Sequence, residues 1–156
     1  MDKLSKVIGC FLLAVSFSST RADEALTYDE RIVALTILGE ARGEGKIGMK
    51  ATACVIQNRM LEHGLSGAKV CLKPWQFTPW NAGGGKGKKE RELYYLWKSK
   101  STQEARKLAR LVCKKSLKDI TNGANHFCAL KSNPYWIKGK KPIKTIGKHK
   151  FFKLEL

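Results

Sequence analysis

The stretch that most restricts the fold is Ile32-Val33-Ala34-Leu35-Thr36-Ile37-Leu38. It is apolar almost all round, so as a helix it has no polar face to turn to water and must be enclosed by other elements. A buried strand would fit the same run, and the residues ahead of it decide between the two. Thr27-Tyr28-Asp29-Glu30 has the form of a capping box, with Thr27 as N-cap and Glu30 three residues on, which predicts a helix. Gly39 and Gly43 bracket its end. With 156 residues, less any leader, the chain has room for one domain around such a helix. At 43% hydrophobic it is too apolar for wholesale disorder.

The remaining elements follow in order. Over residues 46–63, Ile47, Ala51, Cys54, Val55, Asn58 and Leu61 repeat at helical spacing, and Gly64 is a natural stop. Residues 65–89 read as loop, carrying Trp75, Gln76, Phe77 and Trp80 and then Gly83-Gly84-Gly85-Lys86-Gly87. A short helix is expected over 90–99. Ser101-Thr102-Gln103-Glu104 reads as a second capping box, opening a helix to about Leu117. Beyond Asn122-Gly123, Ala124 to Leu130 and Thr145 to Leu154 look extended, with turns at Asn133-Pro134 and Gly147. The expected fold class is α+β, a mostly helical single domain with a small C-terminal β element.

The first 22 residues read as a secretory signal. Lys3 and Lys6 precede an apolar run from Val7 to Phe17, and Thr20-Arg21-Ala22 offers a small-x-small cleavage site. The run is short for a bilayer span, so no stable membrane anchor is expected; an uncleaved anchor is the alternative. Residues 23–156 would then be the exported domain. Cleavage removes Cys10 and leaves Cys54, Cys71, Cys113 and Cys128, an even set that suggests two disulfides of open connectivity. No C-x-x-C pair or zinc-type His spacing is present, so neither a metal nor another cofactor is expected. Of 30 Lys+Arg and 13 Asp+Glu, the leader holds three basic residues and one acid, leaving 27 against 12, or +15. That charge steers a protein toward polyanions. Export favours an anionic wall or outer-surface polymer over nucleic acid, although plain solubility would also account for the charge.

Glu40 is the strongest candidate for chemistry. It ends a strongly apolar helix, where burial and the negative end of the helix dipole both disfavour the carboxylate and raise its pKa. A carboxyl protonated near neutral pH suits general acid catalysis of glycosidic cleavage. The alternative is a helix-end glutamate pairing with Arg42 or Lys46. Glu44, four residues on, is either a second acid or a support for the loop, since Gly43 and Gly45 break the helix. Glu62, Glu90, Glu92, Glu104 and Asp119 look solvated, and so thin an acid supply fits a mechanism with one carboxyl better than one needing two. Gln76, Phe77 and Trp80, with Trp75 and Asn81, form an aromatic loop of the kind that stacks on sugar rings or pins itself to a core. His126, Tyr135, Trp136 and His149 are further candidates for binding substrate.

The string Arg31 to Glu44, with Gly39-Glu40-Ala41-Arg42-Gly43-Glu44 at its centre, resembles the spore-cortex-lytic (SleB-like) cell wall hydrolases. So do Gly48 and Ala51 to Asn58-Arg59, and Gln76-Phe77 with Thr78 where the family has Ser. Gly123-Ala124 with Phe127, Pro134-Tyr135-Trp136 and Ile146 to Phe152 complete the likeness, which spans about residues 29–153. The resemblance implies a lysozyme-like fold, peptidoglycan as substrate and Glu40 as catalytic acid. It further implies lytic transglycosylase chemistry between N-acetylmuramic acid and N-acetylglucosamine, in which the muramic 6-hydroxyl attacks its own anomeric carbon. A hydrolytic muramidase or glucosaminidase, or an inactive cationic wall-binding protein, would share the scaffold. The chain departs from the family in its Gly/Lys-rich segment 82–89 and its four cysteines, which speaks against a spore-cortex substrate.

Overall fold

The computed structural model describes residues 25–81 and 88–155; the expected leader and the glycine run from Gly83 to Gly87 lie outside the described residues. Helix α1 (Tyr28–Ala41) starts at the capping box: the Thr27 hydroxyl accepts from Glu30 N at 3.3 Å, and Thr27 N donates to Glu30 Oε2 at 2.9 Å. Every residue from Ile32 to Leu38 is buried. Around α1 pack α2 (Gly45–His63), α3 (Gly67–Leu72), α4 (Thr102–Cys113) and a 3-10 helix (Glu90–Lys98). Each fully buried Ile, Leu or Val contributes about 1.5–3 kcal/mol, so this sheath fixes where α1 ends. Thr36, the one polar member of the run, donates to Ile32 O and accepts from the Trp80 indole, both at 2.7 Å.

The second half of α2 buries three consecutive polar residues, Gln57, Asn58 and Arg59. Each bonds to the backbone that follows α4. Gln57 pairs with both Leu117 N and Leu117 O, Asn58 donates to Ala124 O at 2.8 Å, and Arg59 Nε donates to Asn125 O at 2.5 Å. A buried polar group must find such a partner or destabilise the fold, so the run acts as a rack for the chain entering the sheet. Gly64 closes α2 in the left-handed region at φ 64°, as its sequence position implies. The sheet is antiparallel in the order β1-β3-β2, from β1 (His126–Ala129), β2 (Lys144–Ile146) and β3 (His149–Phe152). Phe151 on β3 packs with Ala51 and Val55 of α2 and with Ala124, joining sheet to helices. The α+β class expected from the sequence, mostly helical with a small C-terminal sheet, is the fold found.

Several local expectations change. The segment read as loop holds α3 and a 3-10 turn (Thr78–Trp80), and the helix expected over 90–99 is the 3-10 helix Glu90–Lys98. Ser101 makes no capping bond; its hydroxyl donates instead to Arg42 O at 3.2 Å, and α4 ends at Cys113 rather than near Leu117. Asp119, read as solvated, is half-buried. Burial pushes its carboxyl up, but bonds from Thr121 and Gly123 outweigh that and hold it below its ordinary value. The cysteines are corrected too: Cys54, Cys71, Cys113 and Cys128 are all free thiols. Cys54 faces Lys118 O, and Cys71 is enclosed in the core. Burial pushes Cys54 up to about 11 and both Cys71 and Cys113 up to about 12, so these three behave as small protonated apolar groups.

Candidate active site

Helix α1 delivers Glu40 in its last turn, and a close contact one residue earlier fixes the distance to the next wall. A Cβ added at Gly39 would lie 2.2 Å from Pro79 Cγ, so only glycine lets the 78–80 turn come this near. The approach brings Thr78 N onto Glu40 Oε1 at 2.7 Å. Glu40 is half-buried. Burial raises its pKa, and the Thr78 bonds and the Arg59 charge oppose the rise without cancelling it. The alternative of a helix-end ion pair is not what forms. Arg42 Nη1 donates to the helix-end carbonyls of Leu38 and Gly39 at 3.3 and 3.4 Å. Among the described residues no cation pairs with Glu40.

Glu44 has a different setting. It occupies the bend between α1 and α2, and its Oε2 accepts from Lys148 N at 3.3 Å and lies 3.9 Å from His149 Nδ1. Gly147, at φ 56°, lets the β2–β3 turn come this close; a Cβ there would sit 3.3 Å from the same oxygen. Glu44 therefore holds the sheet's hairpin to the helix bend, and His149 shares in that contact.

The other expected residues divide between core and cleft. Phe77 and Trp80 are buried at 2% and 3% exposure, so their rings brace the turn and present no face to a sugar. This corrects their reading as a stacking wall. Exposed rings are Trp75, 70% exposed, and Tyr135, 91% exposed. Gln76 and His126 line one cavity, with Arg59, His63 and Lys73. Trp136 packs against His126 at 5.4 Å between ring centroids and against Phe152 at 5.5 Å. His126 Nδ1 lies 2.9 Å from Asn125 Oδ1, an oxygen that already accepts from Leu154 N. Nδ1 must therefore donate, and Nε2 is left as an acceptor. Burial, helped by Arg59, pushes His126 down to about 4, so the ring is neutral at ordinary pH.

Arg59 and Thr78 are the participants that sequence reasoning did not assign. Arg59 is 6% exposed, its guanidinium lies over the Phe77 ring at 5.1 Å, and burial lowers its pKa to about 10. Its sequence signal was slight: it ends the polar run Gln57-Asn58-Arg59, which interrupts the apolar stretch between Val55-Ile56 and Met60. Thr78 contributes a backbone N–H, which no side-chain pattern announces.

A half-buried carboxyl of raised pKa, with no ion pair among the described residues, is equipped for acid catalysis on a carbohydrate. The Cell Wall Hydrolase family profile matches residues 43–152. The chain belongs to the cell wall hydrolase family. It is an enzyme that acts on peptidoglycan. Among solved structures it is similar to the catalytic domain of the germination-specific lytic transglycosylase SleB from Bacillus anthracis. That match has 25% identity and a TM-score of 0.61, and covers 84% of this chain and 98% of the other. The catalytic domain of the Bacillus cereus SleB protein is similar to the same degree, with 26% identity, a TM-score of 0.60 and coverage of 84% and 94%. No curated protein matches the chain in sequence.

Proposed function

We propose that this cell wall hydrolase is a lytic transglycosylase with Glu40 as its single acid and base. The observation that carries the reading is the contrast in carboxyl settings: Glu40 is half-buried, raised in pKa and without an ion pair among the described residues, while Glu44 is engaged by the hairpin. Protonated Glu40 gives its proton to the oxygen linking N-acetylmuramic acid to N-acetylglucosamine. As that bond breaks, the muramic 6-hydroxyl attacks the anomeric carbon and its proton returns to Glu40, closing a 1,6-anhydro ring. The solved SleB domain, itself described as a lytic transglycosylase, supports the assignment. Thr78 N, bonded to Glu40 Oε1, favours the carboxylate left after the first proton transfer. Gln76, His126, Tyr135 and Trp136 bind the glycan, with His126 Nε2 accepting from a hydroxyl or amide.

Residues 1–22 act as an export signal and 23–156 as the wall-cutting domain. The lysines at 138, 140, 141, 144 and 148, all exposed, hold the enzyme to anionic wall polymers. Digestion of purified sacculi with analysis of products by mass spectrometry tests the chemistry. Anhydromuropeptides are expected; products ending only in reducing muramic acid would mean hydrolysis.

A further inference from the structure

Arg59 is more than a brace for the sheet. Its Nε is used by Asn125 O, but Nη1 is buried and has no hydrogen-bond partner among the described residues. No carboxylate forms an ion pair with it there either. A guanidinium nearly sealed from water and one bond short is costly, and an acceptor arriving with a ligand would relieve that cost. The cavity that Arg59 lines supplies the place for one. Lys73 and His63 stand at its exposed rim, and Gln76 and the neutral His126 complete its polar wall. No Asp or Glu lines it. It adjoins the proposed acid, because Gln76 is two residues from Thr78, which bonds Glu40, and the Arg59 charge is felt at Glu40.

From these contacts we infer that the cavity at Arg59 is a carboxylate-binding subsite for the muramyl unit of the glycan, with Arg59 and Lys73 as the charged partners and Gln76 orienting the group. The inference rests on the reading that the cleft beside Glu40 receives the glycan strand. A muramyl residue brings a carboxylate in one of two forms. Where the strand is bare, the lactyl group ends in a free carboxylate. Where it bears peptide, the lactyl carboxyl is amidated and the carboxylates belong to the peptide stem. A neutral N-acetylglucosamine unit brings neither, so the subsite would fix which sugar lies on which side of Glu40.

The test is binding rather than turnover, so that it stands apart from the reaction chemistry. Three probes are titrated against the Glu40→Gln protein. They are a bare N-acetylglucosaminyl–N-acetylmuramic acid tetrasaccharide, the same compound with its lactyl carboxyls converted to methyl amides, and a disaccharide bearing a stem peptide. A charge-assisted bond to Arg59 predicts that the bare acid or the peptide form binds about tenfold tighter than the methyl amide. Whichever of the two binds tighter identifies the source of the carboxylate. Arg59→Lys should shrink that ratio, because a point charge cannot reproduce the planar fork. Lys73→Gln, at the rim and harmless to folding, should shrink it in part. Equal binding of all three probes, or a ratio unchanged in both variants, overturns the subsite. Failure of all three probes to bind would instead remove the cleft as the glycan site.

Discussion

Glu40 and Glu44 stand four residues apart in one short motif, and both are half-buried, yet their surroundings assign them opposite work. Glu40 is presented by a helix end held by packing, since α1 is buried from Ile32 to Leu38 and Pro79 sits on Gly39. It is met by Thr78 and by no ion-pair partner among the described residues, so burial prevails and raises its pKa. Glu44 falls where the helix has already broken, and it spends its oxygen on Lys148 N and the neighbourhood of His149. The difference suits Glu40, and not Glu44, to the proton-donor role proposed for it, through what is withheld from it. A counter-ion at Glu40 would stabilise the fold and remove the chemistry.

The largest effect should come from exchanging the two acids for amides in turn. Glu40→Gln should lower the rate of muropeptide release by about 10²–10⁴-fold, whereas Glu44→Gln should keep most of the activity. Comparable losses from both would break the distinction. Next in size is Gly39→Ala. Its new Cβ overlaps Pro79, and overpacking of this kind costs about 1–3 kcal/mol. A shift of the Thr78 turn by about 1 Å could lower activity by up to about 10²-fold. Thermal unfolding and sacculus-clearing assays on one preparation would measure both. Glu44→Gln should itself lower stability by about 1 kcal/mol through the weakened hairpin bond, read by chemical denaturation.

How far the sequence exposed this arrangement depended on the range of the forces involved. The capping box at Thr27, the break after Arg42 and the stop at Gly64 are local, and each appears where its residues place it. Helix α3 was hidden because six residues are too few to show a period. Ser101 followed a capping pattern, yet the Arg42 carbonyl, distant in sequence, took its hydroxyl. Trp80 belonged to an aromatic loop that could stack on sugar or anchor itself, and only its bond to Thr36 across the core decides for the anchor. The raised pKa of Glu40 was legible from its place at the end of a buried helix. The buried Arg59 was not, since arginine is mostly a surface residue and its partners come from the chain more than sixty residues later.

The smallest effects concern pH. Glu40 has a folded pKa above its unfolded one, so the ionised form weighs against the native state once the pH passes the ordinary carboxyl range. Glu40→Gln should therefore melt no lower than wild type at pH 7, and any advantage should fade in acid. His126 is the reverse case. Its folded value near 4 lies below the ordinary 6.5, so the unfolded chain takes up a proton that the folded chain refuses. Stability should fall as pH drops from about 6.5 toward about 4, and His126→Gln should remove part of that slope.

The proposed chemistry requires Glu40 to hold its proton longer than an ordinary carboxyl does. Carbon-13 NMR titration of the glutamate side-chain carboxyls, with Glu40→Gln used to assign the resonance, reads this directly. A Glu40 midpoint clearly above the free-carboxyl value of about 4.3 is the predicted result. A midpoint at or below that value would contradict its role as the acid.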